Sequence, residues 1–272
     1  MNATVIGAQG FIGSHLVSYL GKIGAAVFAP PKGDSSIFAR SLGHVFYCAG
    51  LTADFRQKPF ETVRAHVAYL LDVLERANYD SLLYLSSTRV YSGATAGRED
   101  ETLRVNPCDP SDLYNLSKLT GEAVCLAAAN RKVRIARLSN VYGAGMDPAN
   151  FLASLIEDAV MRGRIVLGIS RDSAKDYVYV GDVVQLMAKI ALSGRHRLYN
   201  IAAGFNVAAG PIIDRLSDLT GCAVEVAAGA PAVAFPPICI ERVRTEFGFS
   251  PAKLECVIEH LIADRRKQLE TA

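Results

Sequence analysis

Short, continuously apolar runs recur along the chain, and longer amphipathic stretches separate them. "ATVIGA", "HVFYCAG", "SLLYLSS" and "VRIARL" carry few polar residues, and "AAVFAP" is a shorter run of the same kind. A strand that is apolar on both sides must be covered on both sides, which is the condition of a parallel sheet. The intervening stretches "FIGSHLVSYLGKIG", "PFETVRAHVAYLLDVLERA" and "SDLYNLSKLTGEAVCLAAAN" have the length and spacing of helices. Strand and helix alternating in this way predict a doubly wound α/β fold.

One interval in this pattern is too short. Residues 31–43 separate the second strand from the third. A single crossover takes about 10–12 residues, so no additional strand with its own helix fits there. The second strand is therefore expected to be the outer edge of a shortened sheet. The C-terminal third changes character, with "AAGAPAVAFPP" followed by the amphipathic run "LECVIEHLIADRRKQLE". The expected division is a larger domain, built on the parallel sheet, over residues 1–142, with a return segment near 176–200. Residues 143–175 and 201–272 then form a smaller α/β domain.

Composition excludes several classes. The 272 residues are 50% apolar and 21% charged, which suits a substantial core, and the net charge of +2 is scattered rather than striped. Nucleic acid is not an expected partner. No apolar run approaches the roughly 20 residues of a membrane-crossing helix, and the first residues read as a strand without a basic leader. The six cysteines are dispersed and form no C-x-x-C pair, which predicts reduced thiols in a cytoplasmic protein. The five histidines form no i,i+4 pair, so no metal site is expected.

The strongest local signal is "VIGAQGFIGSHL". Gly7, Gly10 and Gly13 fall between the first strand and the first helix. The first lets the chain reverse, the second lets a pyrophosphate approach, and the third lets helix and strand pack closely. The helix N-terminus then offers amide donors to the phosphates of a dinucleotide. An acid usually ends the next strand and binds the adenosine ribose. Here that strand ends "VFAPPKGD", with Pro31 at the acid's place and Lys32 after it. Without a carboxylate a 2′-phosphate is no longer repelled, and Lys32, with Arg40, can attract it. NADP(H) is the expected cofactor, with NAD(H) as the alternative.

Two further stretches carry chemistry. "LLYLSSTRVYSG" places Ser86, Ser87 and Thr88 at the mouth of a buried strand, where hydroxyls commonly serve a ligand. "YNLSK" places Tyr114 and Lys118 four residues apart, on one face of a helix. A phenol becomes a usable acid or base when a neighbouring cation stabilises its anion.

The series "GAQGFIG", "LSSTRVY", "YNLSK", "RLSNVYG" and "KDYVYVGD" resembles the extended short-chain dehydrogenase/reductases, the NAD-dependent epimerase/dehydratase family acting largely on nucleotide sugars. The resemblance runs from Ala3 to about Pro251, where "EFGFSP" is similar to the family's "ELGWSP". It implies a Rossmann-like sheet, with Tyr114 as acid/base, Lys118 as its electrostatic partner and ribose clamp, and Ser87 as the hydroxyl that orients the carbonyl. It also implies cofactor contacts at Phe11, Ile12, Ala49, Gly50, Ser86 and His66, where His66 stands in place of an asparagine. Thr88, Arg89, Asn140, Asn150 and Lys175 fall at substrate positions. A homodimer through the helices holding residues 59–77 and 112–129 follows as well, and Leu70, Leu71, Leu74, Val124 and Leu126 supply more apolar surface than one sheet face needs.

Departures from the family pattern narrow the reaction. The 4,6-dehydratases of the family place Asp then Glu after the hydroxyl residue, and its decarboxylases use that glutamate. Here Thr88 and Arg89 hold those places, and a guanidinium cannot take a carbon-bound proton. The arginine near "RPGD" that grips the diphosphate has no counterpart in "GAPAVAFPP", leaving Lys175, Arg242 or Arg244 for that role. The expected activity is NADP(H)-preferring reduction of a keto sugar, of the nucleotide-linked 4-keto-6-deoxy kind. The alternatives are a C4 epimerase with tightly held NAD, and a dinucleotide-sensing protein without turnover.

Overall fold

The computed structural model describes residues 1–52 and 54–270. Its strands are β1 (Asn2–Ile6), β2 (Ala26–Phe28), β3 (His44–Tyr47), β4 (Ser81–Ser87), β5 (Val133–Leu138), β6 (Asn140–Tyr142), β7 (Arg164–Leu167), β8 (Ala174–Tyr179), β9 (Leu198–Ile201), β10 (Asn206–Ala208) and β11 (Ala223–Val226). The helices begin with α1 (Phe11–Lys22), α2 (Pro59–Val63), α3 (Tyr69–Arg76) and α4 (Leu113–Ala127). They continue with α5 (Phe151–Glu157), α6 (Val180–Ser193), α7 (Ala209–Thr220), α8 (Glu241–Phe247) and α9 (Leu254–Glu270).

Six strands form a parallel sheet in the order β2-β1-β3-β4-β5-β9. β2 is the edge, as the short interval predicts, because residues 31–43 supply only a 3-10 turn at Ser35–Phe38, capped by the Asp34 carboxylate. Alternate residues of each strand enter opposite cores. In β4, Leu83 and Leu85 pack with Leu16, Leu20, Val183 and Met187 of α1 and α6. Leu82 and Tyr84 pack with Leu70, Val73 and Cys125 of α3 and α4 on the other side. Each such side chain contributes roughly 1.5–3 kcal/mol on burial, which fixes the register of the sheet and with it the residues at the strand ends.

A further core gathers Tyr142, Leu155, Ile165, Tyr177, Ile213 and Ile258. Around it lie a three-stranded sheet, β10-β8-β6, and the parallel pair β11-β7. β8 runs directly into α6, so the strand carrying Lys175 is tied to a helix on the large sheet.

The long helix expected over residues 59–77 is present but not uniform. Between α2 and α3 the chain makes a π turn at Arg64–Ala68. Wide turns of this kind recur at functional sites. Here the Ala65 and His66 carbonyls accept hydrogen bonds from the buried hydroxyls of Tyr47 (2.6 Å) and Tyr84 (3.2 Å). The turn is thus held by two strands, and it carries His66 into the interior.

Candidate active site

The glycine turn lies between β1 and α1. Gly7 takes φ +86°, and a Cβ there would meet the Ala49 amide nitrogen at 2.8 Å. A Cβ on Gly13 would lie 2.2 Å from the Gly7 carbonyl oxygen, a backbone atom that cannot yield. Gly10 precedes the first turn of α1, and its amide donates to Gly7. Phe11 and Ile12 follow, half-buried, with Phe11 packed edge-on to His15. Ala8, Gln9, Ser14, Val17, Ala29, Pro30 and Pro31 line a shallow groove from this turn to the end of β2. Lys32 stands exposed beyond it, and the Arg40 guanidinium lies 4.0 Å over the Phe28 ring.

At the ends of β3 and β4 the chemistry converges. Ser87 closes β4, and its Oγ accepts from the Arg89 amide at 3.2 Å. Burial of Tyr114 raises its pKa, and three groups oppose that rise: hydrogen bonds to Ser87 and Thr52, and the charge of Arg89. The phenol therefore stays protonated near neutrality, with the Ser87 hydroxyl close enough to act on it. Lys118 follows on the same face of α4, with Nζ donating to the Leu85 carbonyl at 2.9 Å and standing 5.9 Å from the Tyr114 ring. Burial pushes the Lys118 ammonium down to about 7, against the opposing pull of Glu122 and Cys48. The cation that acts directly on the phenol is Arg89, while Lys118 is poised between its two charge states.

His66 stands beside this group, edge-on to Tyr114 at 5.4 Å. The Ser117 hydroxyl donates to the Tyr114 carbonyl (2.9 Å), so its oxygen accepts from His66 Nδ1 (2.8 Å). The other nitrogen, Nε2, faces the backbone at Gly50 and Leu51. Burial and the nearby Lys118 charge push the imidazole down to about 2, opposed by the Leu51 backbone, and it is neutral. Nε2 is buried without a hydrogen-bond partner. It converges with Lys118 Nζ on Gly50, where a Cβ would lie 3.0 Å from one and 3.4 Å from the other. An unpartnered imidazole nitrogen and an amine at the end of β3, in line with the glycine turn, fit the nicotinamide end of a dinucleotide, whose ribose hydroxyls both donate and accept. Gly50 and Ala49 form the floor between the two ends.

Other residues singled out in the sequence have additional duties. The Ser86 hydroxyl is committed to Glu122 at 2.5 Å. Thr88 is buried beside Ser87. Asn140 donates to the Asp176 carbonyl, and Asn150 caps α5 through the Leu152 amide. Lys175 stands 5.4 Å from the Phe151 ring. Arg242 is spent on the Leu198 carbonyl and on Glu99, away from this group. Sequence reading missed Thr52, which bonds Tyr114, and Phe55, whose ring is 5.5 Å from the phenol. Both lie on a loop with no local signature. It also missed Glu122, which the spacing after Lys118 could have shown.

Comparison with known proteins agrees with this geometry. The chain is 26% identical over 250 residues to the GDP-6-deoxy-D-mannose reductase of Pseudomonas aeruginosa, covering 82% of this chain and 81% of that one. The structure of MoeE5 with UDP-glucose and NAD superposes with a TM-score of 0.83 at 25% identity, covering 99% of this chain and all of that one. MoeE5 has also been solved with UDP-glucuronic acid. A Pseudomonas aeruginosa protein, RMD, solved with NADPH shares the fold at a TM-score of 0.80, with 20% identity over 98% of this chain and 100% of that one. Residues 3–202 match the model of the NAD dependent epimerase/dehydratase family. With that match spanning most of its length, and with the glycine turn and the Ser87, Tyr114 and Lys118 group in place, the chain belongs to the NAD dependent epimerase/dehydratase family.

Proposed function

We propose that this protein is an NADP(H)-preferring oxidoreductase that reduces a keto group of a nucleotide-linked sugar. The observation that carries the reading is the convergence of Ser87 and Lys118 on the buried Tyr114 phenol. A ketone oxygen placed between the two hydroxyls receives a hydrogen bond from each. Tyr114, kept protonated by burial, donates its proton to that oxygen as the alcohol forms. Ser87 holds the carbonyl in line, and Lys118 compensates the phenolate that is left. The dinucleotide, when bound, supplies the hydride. Gly7, Gly10 and Gly13 hold its pyrophosphate, and Lys118 with His66 Nε2 holds its nicotinamide-side ribose.

Thr88 and Arg89 supply no carboxylate next to Ser87, which leaves hydride and single-proton transfer as the available chemistry. Lys175 takes the diphosphate side of the substrate, because Arg242 is already paired. C4 epimerisation is the second reading, supported by the likeness to MoeE5, which is solved with UDP-glucose and NAD. Purified protein incubated with NADPH and a nucleotide-linked keto sugar should consume the two in equal amounts. Copurified NAD that never dissociates, with interconversion of two sugars and no net consumption, identifies the epimerase instead.

We also place the protein in the cytoplasm, where cysteines as dispersed as these stay reduced. In our reading it is a homodimer through α2, α3 and α4. Leu70 is taken up by the sheet core, but Phe60 (75% exposed), Val63 and Leu126 remain as apolar surface on these helices. Sedimentation at micromolar concentration that finds only a monomer rules the dimer out.

A further inference from the structure

Arg89 and Lys175 are two half-buried cations, and among the described residues neither is within ion-pair distance of a carboxylate. The Arg89 guanidinium lies 5.5 Å from the Tyr114 ring and 4.9 Å from that of Phe55. Its side chain makes one hydrogen bond, to the Ser111 carbonyl at 3.4 Å, which is long for an N–H donor. Lys175 has the Phe151 ring beside it and, among the described residues, no hydrogen-bond acceptor. Burial and the charge of Arg89 both lower the Lys175 pKa, and Arg56 likewise opposes the charge of Arg89.

Asp112 and Asp109 act on the Arg89 charge only from beyond ion-pair distance, and their hydrogen bonds go to other groups. Asp112 accepts from the Asn106 amide and the Asn115 side chain, and Asp109 accepts from the Ser111 amide. Withdrawing like charges from water without a direct ion-pair partner opposes folding. Such an arrangement persists where a ligand supplies the missing charge.

We propose that the sugar ring meeting Ser87 and Tyr114 carries a carboxylate, and that Arg89 is the residue that selects it. This rests on the nucleotide-sugar reading above and names its substrate class: a sugar acid. Arg89 follows Ser87 by two residues and stands over the same phenol that serves the reacting oxygen, within the span of one sugar ring. The diphosphate is farther along the substrate and falls to Lys175. A planar guanidinium fork matches a carboxylate with two parallel hydrogen bonds. The methyl group of a 6-deoxy sugar offers Arg89 nothing, so the acid displaces the 6-deoxy sugar expected from sequence.

The test is calorimetric binding, with NADP⁺ present, of three acid and neutral pairs: UDP-glucuronate and UDP-glucose, dTDP-glucuronate and dTDP-glucose, GDP-mannuronate and GDP-mannose. For the pair whose nucleotide binds, the wild type should favour the acid by about tenfold or more. Arg89→Gln should erase that preference while changing the affinity for the free nucleoside diphosphate less than twofold. Arg89→Lys should restore only part of it. Equal binding of acid and neutral sugars by the wild type overturns the inference, and that comparison needs no variant. So does an Arg89→Gln loss as large for the free diphosphate as for the sugar acid, which assigns Arg89 to the phosphates. If none of the six sugars binds, the nucleotide-sugar reading itself fails, and the inference fails with it.

Discussion

Glu122 grips the Arg137 guanidinium in a buried ion pair, 2.6 Å at its closest, one helical turn past Lys118 on the same face of α4. Glu122 also accepts from Ser86, and Arg137 reaches on to the Tyr91 hydroxyl at 2.8 Å, which donates to Asn200. The face of α4 that carries Lys118 and Glu122 is thereby fastened to the ends of β4, β5 and β9. Glu122→Gln keeps the volume but leaves the Arg137 charge buried and unpaired. Breaking such a pair costs about 3–5 kcal/mol, so the denaturant midpoint should fall by a corresponding amount. Adding Arg137→Met should recover part of the loss. An unchanged midpoint in Glu122→Gln would show that the pair contributes no net stability.

Lys118 gives stability a pH dependence of known sign. Its folded value is about 7, well below that of an ordinary lysine. Between those two values the unfolded chain holds a proton that the folded chain has shed. Raising the pH through this window therefore favours the folded state. Stability measured by urea unfolding from about pH 7 to about pH 9 should rise more steeply in the wild type than in Lys118→Met. The difference between the two proteins isolates this residue, because burial holds Cys48, the thiol that feels the Lys118 charge, up at about 12, above the window. Parallel curves would place the Lys118 titration outside the window.

Tyr114→Phe removes one hydroxyl and little volume. Ser87 and Thr52 lose a partner, while the glycine turn, Lys118 and His66 are untouched. Turnover should fall by roughly 10²–10⁴-fold, the ordinary range for a lost proton donor, with dinucleotide affinity changed less than about threefold. Turnover comparable to the wild type would move the proton donor to another group.

Cofactor preference should be modest and should follow charge. Lys32 is exposed at the end of the groove, and Pro31 lines it where a ribose-binding acid would stand. Asp34, two residues beyond Lys32, is engaged with the Ser36 amide, and Arg40 lies close enough to act on its charge. NADPH should bind a few-fold to about tenfold more tightly than NADH. Lys32→Glu should reverse the order, and added salt should shrink the wild-type preference. Tighter NADH binding by the wild type would mean that the 2′-phosphate lies elsewhere.

Much of this protein could be read from one sequence because its signals are local. Three glycines at fixed spacing, a tyrosine and lysine one helical turn apart, and runs of apolar residues each express the geometry of a single element. The missing edge strand was legible for the same reason, since residues 31–43 set an upper bound on what the chain can build there. The π turn was not, because its wide geometry is fixed by hydroxyls of Tyr47 and Tyr84 that arrive from two strands. Nor was the orphaned Nε2 of His66, which exists only because Ser117, 51 residues along, orients the imidazole. Phe55 and Thr52 reach Tyr114 from a loop, and Arg89, just past β4, acts on the charge of Lys175 in β8, 86 positions along the chain. A sequence states each residue's charge and period, but which charges face each other without a partner depends on how the layers close. That closure decides which groups surround the Tyr114 phenol, whereas the glycine turn and the Tyr114–Lys118 spacing are each written in a single stretch of sequence.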